Sequence, residues 1–194
     1  PQAGRAWDIH ADLDHGTHQR VGHGDMTGRV TGTLTVRGRT FEVDSVERMD
    51  RSWGSRDPMK AGKPNHIVSA NFGEDLAFHM ICPWDPTHVG PGAFTLSHGY
   101  ILEDGQVYGL TDELEMESLG QGFMSLGITM TVTDVRGRRH TLTATPDVGA
   151  PWIAAPTAMV HNALMRWTYE GREGYGVVMR PFFLPDLNRR YGRF

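Results

Sequence analysis

Apolar and polar residues alternate along most of this chain, and glycines interrupt the alternation at intervals. Thr33-Leu34-Thr35-Val36 and Thr40-Phe41-Glu42-Val43 flank Arg37-Gly38-Arg39, which predicts two strands folded about a tight turn. Asp104-Gly105 separates Tyr100-Ile101-Leu102 from Val107-Tyr108-Gly109-Leu110 in the same way, and Arg136-Gly137-Arg138 separates Ile128–Val132 from His140–Thr143. A weaker fourth copy centres on Phe72-Gly73-Glu74-Asp75. Helical periodicity is nearly absent. Met159, Val160, Ala163, Leu164 and Trp167 fit an i, i+3, i+4 spacing, but the same stretch reads equally well as a strand. About ten strands joined by tight turns predict an all-β fold, an antiparallel barrel or strongly bent sandwich. The proline-rich patches at 83–91 and 146–156 read as loops at one rim, and no internal linker divides residues 1–194.

Composition narrows the functional classes. The chain has 194 residues, 39% of them hydrophobic and 22% charged, enough apolar material for one packed domain. Its formal charge of −4 argues against nucleic acid as a partner, since phosphate binding requires clustered positive charge. The single cysteine, Cys82, excludes an intrachain disulfide and any zinc site built on two cysteines. No apolar run reaches the length of a membrane span, and a cytoplasmic location is the expectation. Phosphate loops, dinucleotide fingerprints and nucleophile elbows are missing from the sequence, which argues against phosphoryl, hydride and acyl transfer.

The densest chemistry is Asp50-Arg51-Ser52-Trp53-Gly54-Ser55-Arg56-Asp57. On a strand, Asp50, Ser52 and Gly54 share one face and Arg51 and Trp53 the other. Such a string reads either as a strand end with its tryptophan in the core and its charges in solvent, or as acids and a π face lining one cavity. The segment resembles the Asp-His-x-Trp-Gly-x-Arg motif of the AttH and carotenoid 1,2-hydratase-like superfamily, whose members pair two lipocalin-like barrels. The resemblance implies a lipocalin-like barrel corresponding to the second half of those proteins, with a homodimer or a second barrel as partner.

It also implies cofactor-free acid–base chemistry on an apolar terpenoid-, polyene- or steroid-like molecule. Hydration, dehydration, double-bond migration and cyclisation all belong to that class of lyase and isomerase. Asp50 would then move the proton, Trp53 would stabilise positive charge by cation–π attraction, and Arg51, standing where the hydratases have histidine, would anchor an oxygen. That substitution argues against a carotene and for a substrate with a polar handle.

Three histidines complete the candidate set. His66, His79 and His98 fall one on each of three predicted strands, and neighbouring strands would bring them together across a barrel interior. His79 is expected as a second acid or base, and His66, Phe78, His98 and Tyr100 as substrate contacts. The early cluster His10, Asp12, Asp14, His15, His18 and His23 has the spacing of a strand face and loop, and no converging third ligand is identifiable, so no metal and no other cofactor is expected. The competing expectation is a carrier or sensor that holds a hydrophobic ligand without turning it over.

Overall fold

A computed structural model describes residues 7–9, 22–53, 64–85, 88, 90, 92–121 and 124–184, with backbone alone for 7–9, 22, 23, 51–53 and 121. Among the described residues there are eleven strands in two sheets. β1 (Trp7–Ile9), β2 (Gly22–Val36) and β3 (Arg39–Trp53) form a ribbon in which β2 and β3 pair along their whole length. The remaining strands are β4 (Asn65–Asn71), β5 (Leu76–Pro83), β6 (His98–Glu103), β7 (Gln106–Gln121), β8 (Met124–Asp134), β9 (Arg139–Ala155), β10 (Ala158–Tyr169) and β11 (Arg172–Phe183). They follow one another as an antiparallel meander and close into a barrel where β11 pairs with β4.

Turn chemistry sets the registers. Asp104 and Gly105 both take positive φ, 50° and 76°, as a two-residue turn between right-twisted strands demands, and Arg37-Gly38 and Glu170-Gly171 repeat the pattern. All four glycine turns expected from the alternation join consecutive strands. The stretch with mixed helical and strand character is β10, where Ala163, Met165, Trp167 and Tyr169 are buried and Leu164, Arg166 and Thr168 exposed. This period of two resolves the ambiguity in favour of a strand.

Pro146 and Pro151 lie inside β9 rather than in the loop expected for them. β8 pairs with β9 only as far as Ala144; beyond that point β9 is an edge strand bonded to β10 alone, so the missing proline N–H groups leave no ladder bond unmade on the open side. A bulge at Asp147, next to Pro146 on the same strand, absorbs the mismatch.

The interior is filled by Phe78, Met80, Ile101, Met130, Leu142, Met165 and Trp167, all fully buried. Cys82 joins this core, and burial pushes its thiol up to about 12. β5 departs from simple alternation, because both faces are covered: Ala77 and His79, which point away from the core, are as buried as Phe78 and Met80. Their cover is the base of the ribbon. Thr27 bonds the Tyr100 hydroxyl at 2.9 Å and Arg29 meets Glu74 at 3.1 Å, so β2 is held against the outer face of the barrel. No helix among the described residues is long and apolar enough to cross a membrane.

Candidate functional site

The ribbon and the outer face of β5 and β6 enclose a polar cluster. Counting outward from the Arg37-Gly38 turn sets Asp25 opposite Asp50 and Thr27 opposite Arg48. On the barrel side, His79 stands opposite Tyr100 with ring centroids 5.4 Å apart, and His98 is 6.4 Å from His79. Asp25 Oδ2 lies 3.0 Å from His79 Nε2 and 3.8 Å from His98 Nε2. Its other oxygen accepts a hydrogen bond from Arg48 Nη1 at 3.0 Å, and the same nitrogen reaches Asp50 Oδ2 at 3.3 Å. His79 Nδ1 is 3.1 Å from the Val68 carbonyl, which fixes the plane of the ring.

Burial dominates the electrostatics here. It pushes His79 down from the usual imidazole range, against the pull of the Asp25 carboxylate, and pushes the Tyr100 hydroxyl up to about 12.

The histidines expected to converge across the interior are separated by the barrel wall. His79 and His98 lie on the outer face, whereas His66 points inward among Trp84 and Phe94, because β4 presents its even-numbered residues to the core and β5 turns His79 to the opposite side from Phe78. Phe78 is core packing against Phe72, His140 and Tyr169. Asp50 is an exposed neighbour of the cluster, joined to it through Arg48. The side chains of Arg51 and Trp53, and the whole of 54–63, lie outside the described residues, as does the early histidine cluster from His10 to His18 together with the His23 side chain.

Asp25 and Arg48 were missed by the sequence reading. The hairpin register was the signal that could have found them.

A second site opens inside one end of the barrel. A cavity of about 770 Å³ is bounded by Trp84, Phe94, Met116, Ser118, Met130 and Arg180, among others. Trp84 stacks on Phe94 at 6.3 Å, and the two pair across the loop between β5 and β6. Arg180 projects from β11 over the Phe182 ring, 5.1 Å from its centroid, and packs against Gly120 of β7. Next to the cavity, inside the barrel, His66 Nε2 is 3.4 Å from the Ser118 hydroxyl, and burial together with the Arg180 charge pushes this imidazole well below its usual range.

A third polar group, Asp134, is buried at the β8–β9 turn. Asp134 accepts hydrogen bonds from the Arg136 and Arg138 backbone amides at 2.8 and 3.1 Å, from the Arg136 guanidinium at 2.6 and 2.8 Å, and from His140 Nε2 at 3.2 Å. With its acceptor positions taken, the carboxylate clamps the β8–β9 turn.

Fold and sites together define an eight-stranded, antiparallel, closed-barrel domain with an end cavity and a flanking ribbon. Residues 4–179 match the family described as a domain of unknown function (DUF7064), and the chain belongs to that family. Neither a curated protein nor a solved structure matches the chain.

Proposed function

We propose that the barrel binds one elongated, mostly apolar small molecule whose hydrogen-bond-accepting head lies at Arg180 and Ser118. The cavity carries this reading: its volume falls in the range of small-molecule sites, and its wall combines aromatic and methionine side chains with a few polar groups. Closed barrels of eight strands have room for one such ligand. A terpenoid- or polyene-like molecule with a polar handle fits the same description.

The test is titration with a naturally fluorescent polyene fatty acid, followed through energy transfer from tryptophan. One molecule should bind per chain. Met116→Trp, which fills the cavity, should weaken binding at least about tenfold with the melting temperature retained, and Arg180→Met should weaken it by a similar factor. A folded Met116→Trp variant that binds as wild type would place the ligand elsewhere.

Turnover of that ligand by cofactor-free lyase or isomerase chemistry is the second reading, favoured by the neutral imidazole of His66 beside the Ser118 hydroxyl in the cavity wall. Recovery of the bound molecule after incubation separates the two readings: a carrier returns it unchanged, and an enzyme returns an isomer or a hydrated product. A partner in the form of a second copy or a second barrel is supported by Val30, Leu34, Val36 and Phe41, all exposed on the ribbon, and light scattering checks it. The lone cysteine supports a reducing, cytoplasmic setting.

A further inference from the structure

We propose that Asp25, His79 and His98 form a binding site for one divalent transition-metal ion of the zinc class, at the junction of ribbon and barrel. One ligand atom from each residue lies within 4.8 Å of the other two.

The Val68 carbonyl can only accept, so the His79 Nδ1 facing it at 3.1 Å carries the proton and donates. In the neutral ring this leaves Nε2 with a bare lone pair, aimed 3.0 Å away at Asp25 Oδ2, which also bears lone pairs. Two acceptors at that distance repel unless a positive centre sits between them. A second proton on His79 would account for this contact alone. His98 Nε2 approaches the same oxygen to 3.8 Å, longer than a hydrogen bond.

A single ion accounts for both distances. With metal–ligand bonds of about 2.0–2.1 Å, tetrahedral ligand atoms stand roughly 3.3 Å apart, between the two observed separations.

The surroundings supply the supporting contacts that metal ligands need. A backbone carbonyl orients the His79 ring, and Arg48 occupies Asp25 Oδ1 and turns Oδ2 toward the imidazoles. Two imidazole nitrogens and one carboxylate oxygen select zinc, cobalt or iron over calcium and magnesium, which prefer all-oxygen shells. Asp25 and His79 are 1% and 0% exposed, but His98 is 13% exposed. The site is therefore open on the His98 side, where a fourth ligand, water or a substrate oxygen, has access. None of its three residues lines the barrel cavity.

The experiment uses the whole chain, stripped with a chelator and titrated with Zn²⁺ by calorimetry and with Co²⁺ by visible absorption. Wild type should bind one equivalent, develop the intense visible bands of low-symmetry four-coordinate cobalt, and melt at a higher temperature with zinc. His98→Ala should lose affinity at least about tenfold and lose the cobalt bands, while His88→Ala should behave as wild type. His98→Gln, which keeps a polar side chain of similar size, should show the same loss in a chain whose fold is verified by circular dichroism. Absence of saturable binding to folded wild type would identify the contact as a protonated histidine–carboxylate pair and overturn the proposal. Retention of affinity and cobalt spectrum in either His98 variant would overturn it too, by placing the ion on other histidines.

Discussion

Replacing Gly176 by valine is expected to stop the barrel from closing. The two strands that close it, β11 and β4, are joined by few register pairs, Tyr175 with Asn71, Val178 with Val68 and Met179 with Ile67. Between them the backbones approach so closely that a Cβ at Gly176 would lie 2.0 Å from the Ser69 carbonyl oxygen and 2.9 Å from the Ala70 Cα. The next inward-facing position repeats the constraint, with a Cβ at Gly174 meeting the Asn71 oxygen at 2.3 Å.

No rotamer change relieves a clash with backbone. The Ser69 hydroxyl, which accepts from Val177 N at 2.9 Å and donates to its carbonyl at 3.2 Å, would be displaced as well. A loss on the order of 4 kcal/mol or more is expected, placing the variant among the most damaging single substitutions. Gly127→Ala is the control, since its Cβ would come no closer than 3.4 Å to the Ala144 oxygen, and a cost under about 1 kcal/mol is expected. Urea unfolding followed by the fluorescence of the chain's tryptophans, the buried Trp167 among them, distinguishes the two; equal midpoints would show that the seam tolerates a side chain.

The second large effect is expected at Asp134. Removing its carboxylate with alanine leaves His140, the Arg136 guanidinium and two backbone amides of the β8–β9 turn without their shared acceptor. Loss of one member of such a buried charged group costs about 3–5 kcal/mol. Burial alone would push this carboxyl up, but donation from Arg136, from His140 and from the two amides outweighs it and holds the group well below the usual carboxylate range.

Because the folded value lies below the unfolded one of about 3.9, the stabilisation is fully present above that pH and drains away as pH falls toward the folded value. Wild type should therefore lose stability steadily through acid, whereas Asp134→Asn should start less stable at neutral pH and show a shallower fall. Parallel curves would mean that Asp134 does not carry the acid sensitivity.

Much of the architecture was legible because strand folds announce themselves through period-two alternation and turn residues. Gly38, Gly73, Gly105 and Gly137 each mark a real reversal, and the antiparallel all-β class follows from them. Glu170-Gly171 makes the same kind of turn but escaped notice, because the stretch before it, Met159 to Trp167, reads equally as helix or strand. The prolines of β9 misled for a physical reason: an edge strand tolerates what a central strand forbids, and edges are a property of the sheet, not of the segment.

The candidate sites were legible only in part. His79, His98 and Tyr100 were singled out and do come together, yet on the outside of the wall rather than within it. Which face of β5 is covered depends on where a ribbon some fifty residues away comes to rest, and no local pattern encodes that. Asp25, by contrast, was within reach, since counting back from Gly38 pairs it with Asp50. The cavity at Arg180 combines residues from β7, β8, β11 and the β5–β6 loop, a convergence fixed by barrel closure alone.

The sealed position of Cys82 gives the molecule an internal clock. With its thiol pushed up to about 12 and wholly enclosed, the native state offers almost no reactive thiolate, so an alkylating reagent can modify it only during excursions that open the wall. The chain contains one cysteine, so each modification counts one event at one place. When reclosing is faster than alkylation, the labelling rate divided by that of an unfolded thiol is the equilibrium constant for opening. That ratio measures, without denaturant, the fraction of molecules in which the barrel wall stands open.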